Sequence, residues 1–111
     1  MDKPVTMVRI YIREGEHGRR TILMQEVLNI LHDQQHVHGV TVFRGIAGFG
    51  STGEIHAADL LRLNVELPLV IEFFDEPEIA DAAMRELQDL VPDCHMVHWP
   101  AECSISAAKQ A

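Results

Sequence analysis

Residues 43–56 read Phe43-Arg44-Gly45-Ile46-Ala47-Gly48-Phe49-Gly50-Ser51-Thr52-Gly53-Glu54-Ile55-His56, with four glycines inside nine positions. Glycine at that density permits backbone conformations and close approaches that a Cβ forbids, and successive free N–H groups can cradle an anion. Arg44 heads the segment, and Arg13, Arg19 and Arg20 fall at or near other strand ends, so a cleft between subunits could gather them around such an anion. Taken singly, each arginine reads more plainly as a solvated side chain. His56 closes the segment; imidazole titrates near physiological pH, so it could contact a ligand, bind metal or read pH, or be an ordinary hydrogen-bonded loop histidine. The segment lacks Gly-Lys-Ser/Thr and is therefore no Walker loop, and its flanking strands are expected to be antiparallel, which excludes a dinucleotide-binding fingerprint.

Other reactive residue types are present with less organisation. Seven histidines include His36-x-His38 and His95-x-x-His98. Residues three apart on a strand face opposite sides, so His95 and His98 do not converge on one ion within a chain, while His36 and His38 stand near a helix end and are the weak metal candidates. Cys94 and Cys103 have no zinc-type spacing; Cys94 is expected as a buried thiol. Ser51 and Thr52 beside His56 resemble a nucleophile and a base, but no acid is evidently placed to orient the imidazole and no strand-turn-helix elbow surrounds it. The chain is accordingly expected not to be an enzyme.

The elements that must position these groups follow from periodicity. Residues 6–13 alternate, with Val8, Ile10 and Ile12 on one side and Met7, Arg9, Tyr11 and Arg13 on the other, which predicts a first strand. Leu23, Met24, Val27, Leu28 and Leu31 recur at helical spacing until Gly39 offers a stop. Residues 40–46 predict a second strand, followed by the long connection of residues 45–64, in which residues 57–63 could form a short helix. Residues 65–74 predict a third strand. Asp75-Glu76-Pro77-Glu78 reads as a helix start with a capping aspartate, and Ile79, Ala83, Leu87 and Leu90 as the buried stripe of that helix. Residues 94–99 predict a fourth strand stopped by Pro100. The order β-α-β-β-α-β is the α+β, ferredoxin-like arrangement: a four-stranded antiparallel sheet with both helices on one face. The other face then mixes large apolar and charged groups and is expected to pack against copies of the same chain.

At 111 residues and 47% hydrophobic content the chain is expected to form one domain over residues 5–100, with residues 101–111 as a disordered tail. The formal charge of -8 disfavours nucleic acid and anionic membrane surfaces as principal partners. The first residues carry none of the marks of a secretory signal, and no apolar run is long enough for a bilayer, so the expected location is cytoplasmic.

The run Thr41-Val42-Phe43-Arg44-Gly45-Ile46-Ala47-Gly48-Phe49-Gly50, followed by Ile55-His56, resembles the hallmark of the PII-like family known as domain of unknown function 190. The likeness extends from about Val8 to Trp99 and includes Leu67-Pro68-Leu69-Val70-Ile71-Glu72. The resemblance implies the plan of PII signalling proteins: a homotrimer that binds adenine nucleotides in clefts between subunits and presents a mobile loop after the second strand to enzymes or transporters. Family members often occur beside ion-transport genes, which implies a membrane transporter as a partner. The residues carried over are Arg44, Gly45, Gly48, Phe49, Gly50 and His56, with Arg13 as a further cation. The chain departs from the PII pattern where Arg-Gln-Lys-Gly gives way to Ser51-Thr52-Gly53, and where a lysine-containing phosphate loop gives way to Pro92-Asp93. Several cations that would offset the desolvation of a triphosphate are therefore missing at those positions. A small anionic ligand, an adenine nucleotide among the possibilities, is the expected cofactor class; a divalent metal, as in the CutA-type proteins of the same trimeric plan, is the alternative.

Overall fold

The computed structural model describes residues 1–12, 17–34, 37–45, 47–49, 55–57 and 68–106. In chain order these form β1 (Asp2–Ile12), α1 (His17–Asn29), β2 (Val40–Arg44), β3 (Ala47–Phe49), β4 (Ile55–Ala57), β5 (Leu69–Asp75), α2 (Pro77–Leu87) and β6 (Met96–Ser104). Four of the strands make an antiparallel sheet in the order β2-β5-β1-β6, and β3 pairs with β4 in a separate two-stranded ladder. The expected ferredoxin-like arrangement is thus present, with a small hairpin added between the second and third strands of the main sheet.

The alternation in β1 decides which face is core. Val8, Ile10 and Ile12 are buried, and their register partners Phe73, Ile71 and Leu69 on β5 share that face. α2 lies over it with Ala80, Ala83 and Leu87 inward, spaced three and four apart as one helical stripe requires. Ala80 replaces the expected Ile79 in that stripe, and two small residues let the helix backbone approach the sheet closely. Val27 and Leu31 complete the core, with Leu23, Met24, Leu28 and Leu90 packed at its edge. Complete burial of a side chain such as Ile10 or Phe73 contributes about 1.5–3 kcal/mol.

The helix ends differ from expectation. α1 does not run on to Gly39; residues Ile30–Gln34 form a π-helical turn, and the Val37 amide then donates to the Leu31 carbonyl at 3.2 Å. The wider turn places Leu31 in the core. At α2 the N-cap is Glu76 with Pro77 opening the helix, so Asp75 is not the capping residue but the last residue of β5. Its carboxylate is committed elsewhere, as described below.

The fourth strand of the main sheet does not stop at Pro100. β6 continues to Ser104, and its added residues pair with Asp2–Val5 of a β1 that starts earlier than expected. The Tyr11 amide bonds to the His95 carbonyl at 2.8 Å and the Ile105 amide to the Met1 carbonyl at 2.8 Å, so odd-numbered residues of β6 turn their backbone groups toward β1. Pro100 falls at an even position, facing away from the sheet, where no donor is required. Residues 107–111 of the expected tail lie outside the described residues, as do residues 58–63 of the expected short helix and residues 65–67 of the expected third strand. Cys94 is exposed, contrary to the expected burial, because it precedes β6 in a tight turn where it adopts φ 65°.

Candidate functional site

The base of the glycine-rich segment is pinned by backbone. β2 is an edge strand, held through its pairing with β5 in a ladder whose register runs from Val40 opposite Phe73 to Arg44 opposite Leu69. One residue further on, the Gly45 amide donates to the Pro68 carbonyl at 2.7 Å. A Cβ on Gly45 would stand 3.1 Å from Pro68 Cγ, so a side chain here would press the proline ring aside by a few tenths of an ångström. Arg44, immediately before that joint, is exposed.

Beyond the joint the chain rises into the β3-β4 hairpin, in which Gly48 lies opposite His56 and Phe49 opposite Ile55. Gly48 and Phe49 of the Gly-Phe-Gly run are thereby paired with Ile55-His56 of the same pattern. Arg13, Gly50 and His36 lie outside the described residues. His38 lies 37 residues before Asp75 and within hydrogen-bond distance of it.

Two side-chain clusters were not foreseen. In the first, Asp75, with a side chain only 2% exposed, accepts from the His38 amide at 3.1 Å and lies 3.0 Å from His38 Nδ1, both through Oδ2. Its Oδ1 accepts from the Glu76 amide at 2.8 Å. Burial pushes the Asp75 pKa up, but the Glu76 amide, the His38 amide and the His38 ring together outweigh it and hold the carboxyl below its ordinary range. The Asp-Glu-Pro-Glu run marks Asp75 as special; nothing local marks His38 as its partner.

The second cluster occupies the face of the sheet opposite the helices. Arg9 bonds to Glu72 directly across the β1-β5 ladder, and its guanidinium carbon sits 5.4 Å from the centroid of the Trp99 ring, within cation-π range. Glu72 first, and then Tyr11, hold the Arg9 pKa above its ordinary value. Around this pair Phe43, Phe74 and Val97 stand 48%, 47% and 45% exposed. The described positions of this face carry one acid, Glu72, against Arg9 and Lys3, although the chain as a whole has a formal charge of -8. Among the described residues no group of three His, Cys, Asp or Glu side chains is placed to hold a metal ion. No helix among them is long and apolar enough to cross a membrane.

The main sheet and its two helices have the ferredoxin-like fold, a fold that PII-like and CutA proteins also have. A PII-like protein from Thiomonas intermedia, CPII bound to ADP and bicarbonate, superposes with a TM-score of 0.62 over 99% of this chain and 96% of its own at 14% identity. CutA1 from Ehrlichia chaffeensis gives a TM-score of 0.57 over 96% and 87% at 13% identity. At those identities the likeness is one of fold. The DUF190 family model, described as Uncharacterized ACR, matches residues 5–103, and the chain belongs to that family. UPF0166 proteins of Methanocaldococcus jannaschii and Aquifex aeolicus are 30% and 40% identical to it over 98 and 82 residues, covering 81% and 74% of this chain and 89% and 77% of theirs.

Proposed function

We propose that this protein is a PII-like regulatory protein. Copies assemble through the open face of the sheet into a homotrimer, and a small anionic ligand binds near Arg44, Gly45 and the hairpin that carries Gly48, Phe49 and His56. The ligand alters the conformation of the glycine-rich segment, which a partner protein such as a membrane transporter then reads. Arg13 and Gly50 are assigned to the same ligand site by their place in the sequence pattern.

The observation that supports this most is the joint at Gly45. A backbone bond to Pro68 fixes Gly45, two positions before β3 opens the two-stranded hairpin. Such a hairpin is marginally stable by itself, so a modest binding free energy suffices to change its population. Arg44 at the joint supplies a cation, and the CPII complex with ADP and bicarbonate makes an adenine nucleotide the first ligand to test. With Ser51-Thr52-Gly53 in place of a cationic run, a diphosphate or monophosphate suits the site better than a triphosphate.

Thermal denaturation in ADP, AMP, ATP and bicarbonate tests the reading. A ligand at about 100 times its Kd stabilises the folded state by about 2.7 kcal/mol. The expected result is a selective rise in Tm with ADP or AMP that Arg44→Ala abolishes and Arg85→Ala, at the far end of α2, leaves intact. The absence of any rise with all four compounds would exclude this ligand class.

A further inference from the structure

The ion pair on the open face of the sheet sits in the middle of three rows of side chains. Thr41, Glu72, Arg9 and Val97 lie in register across β2, β5, β1 and β6. On one side the neighbouring row is Phe43, Val70 and Tyr11; on the other it is Phe74, Met7 and Trp99. One acid and one cation are thus framed by aromatic and aliphatic side chains. Arg9 is held from two directions, by Glu72 directly across the ladder and by the Trp99 ring, whose centroid is 5.4 Å from its guanidinium carbon. The Glu72 side chain is 19% exposed and the Arg9 side chain 43%, so it is chiefly Arg9 that a covering molecule would take out of water.

The two kinds of side chain constrain a contact differently. Apolar burial is non-directional and roughly proportional to area, so rows of Phe, Val and Met can be covered by an identical face in many arrangements of similar energy. A charge pair is less permissive. An arrangement that wedges an apolar group between Arg9 and Glu72, or draws one away from the other, buries an unpaired charge, which is strongly destabilising. No substitute is at hand: Glu72 is the one acid among the described positions of this face, and the other permanent cation, Lys3, is bonded to Glu76. An identical face meeting it brings the same self-neutralised pair and adds no surplus charge. That suits a second copy of a chain whose formal charge of -8 opposes contact elsewhere.

We propose that Arg9 and Glu72 select the arrangement of the assembled copies: the aromatic and aliphatic rows supply the attraction, and the ion pair decides how the faces meet. This role presupposes the self-association through the open face proposed above, and it gives that assembly a single geometry. On the β6 side the Trp99 ring keeps the guanidinium in place. A face made wholly of apolar groups would associate at least as strongly and with less discrimination, since replacing an ion pair by apolar groups of similar volume is often neutral or stabilising.

Solution mass over a range of protein concentrations, by sedimentation velocity and native mass spectrometry, tests it. Wild type is expected as one assembled species, a trimer. Arg9→Met alone leaves Glu72 unpaired and Glu72→Leu alone leaves Arg9 unpaired; each should raise the concentration needed for half-assembly by about tenfold or more. The double variant Arg9→Met/Glu72→Leu should assemble as readily as wild type but spread over several masses. Assembly of either single variant at wild-type concentrations, or a single mass for the double variant, would overturn the selecting role and leave the homotrimer standing. If the double variant does not fold, as judged by circular dichroism, a charge exchange decides. Arg9→Glu should then dissociate the copies and the addition of Glu72→Arg should restore the single mass, whereas failure to restore it would overturn the role. A wild type that is monomeric at every concentration would overturn the homotrimer and the role together.

Discussion

Asp75 is a carboxylate that must remain ionised in a nearly dry place, and it does so because three donors converge on it. Since its folded pKa is depressed below the ordinary 3.8, its contribution to stability is fully present above that value and is lost as pH falls through the lower folded value. Asp75→Asn should therefore lower stability by about 2 kcal/mol near neutral pH. The gap to wild type should narrow below about pH 4 as the native carboxylate protonates. Urea titrations across that range measure it, and a gap that stays constant into strong acid would show that the charge is not what matters. At this scale the sequence is readable only where chemistry is local. Asp75 beside Glu-Pro-Glu announces a helix start, but its expected role as the cap assumed a partner within the next turn, while the actual ring and amide come from a residue 37 positions away. Gly45 is the converse case: its density of neighbouring glycines drew attention to it, and the structure adds the close approach of Pro68 that a side chain there would crowd.

Among the elements, the strands show how much depends on which side of a strand a residue's backbone groups face. Pro100 reads as a stop signal because proline cannot donate to a ladder, yet β6 continues through it at an outward-facing position. Pro4 is tolerated similarly in β1, two residues before Thr6, the first β1 residue that pairs with β5. The register therefore predicts opposite outcomes for neighbouring substitutions. Pro100→Ala should change stability by less than about 0.5 kcal/mol, whereas Ala101→Pro removes a donor that faces β1 and should cost about 2 kcal/mol or more. Equal effects in chemical denaturation would refute the assigned register. Pro100 also blunts an otherwise open strand edge, so its replacement should raise the tendency to aggregate. The hairpin of β3 and β4 was not legible at all: three-residue strands containing Gly48 carry too little β-branched pattern to stand out from a loop, and only their mutual pairing defines them.

For the molecule as a whole, the distribution of charge and apolar surface is more informative than either total. A chain with formal charge -8 resists self-association by long-range repulsion. The open sheet face is where that resistance is weakest, since Arg9 already neutralises Glu72 and exposed Phe43, Phe74 and Val97 flank the pair. Covering the face would remove that apolar area from water while keeping the ion pair intact, which avoids the penalty of burying a lone charge. Phe74→Glu adds an unpaired acid at this face and should convert the proposed homotrimer to monomers in solution mass measurements, with little loss of monomer stability because Phe74 lies outside the core. An unchanged mass for this variant would place the interface elsewhere.

Periodicity and turn chemistry in the sequence determined the ferredoxin-like order and the inward side of β1, and the resemblance of one motif pointed to the family, because each rests on residues within a few positions of one another. The alternation of Val8, Ile10 and Ile12 and the run Arg44-Gly45 through Gly48-Phe49-Gly50 are local patterns, and local patterns survive without coordinates. Tertiary structure alone decided that Asp75 meets His38, that Arg9 meets Glu72 and Trp99, and that Pro100 sits harmlessly on an edge. Each of these depends on strand register and on the side a backbone group faces, quantities set by the packing of the whole sheet rather than by any short stretch of chain.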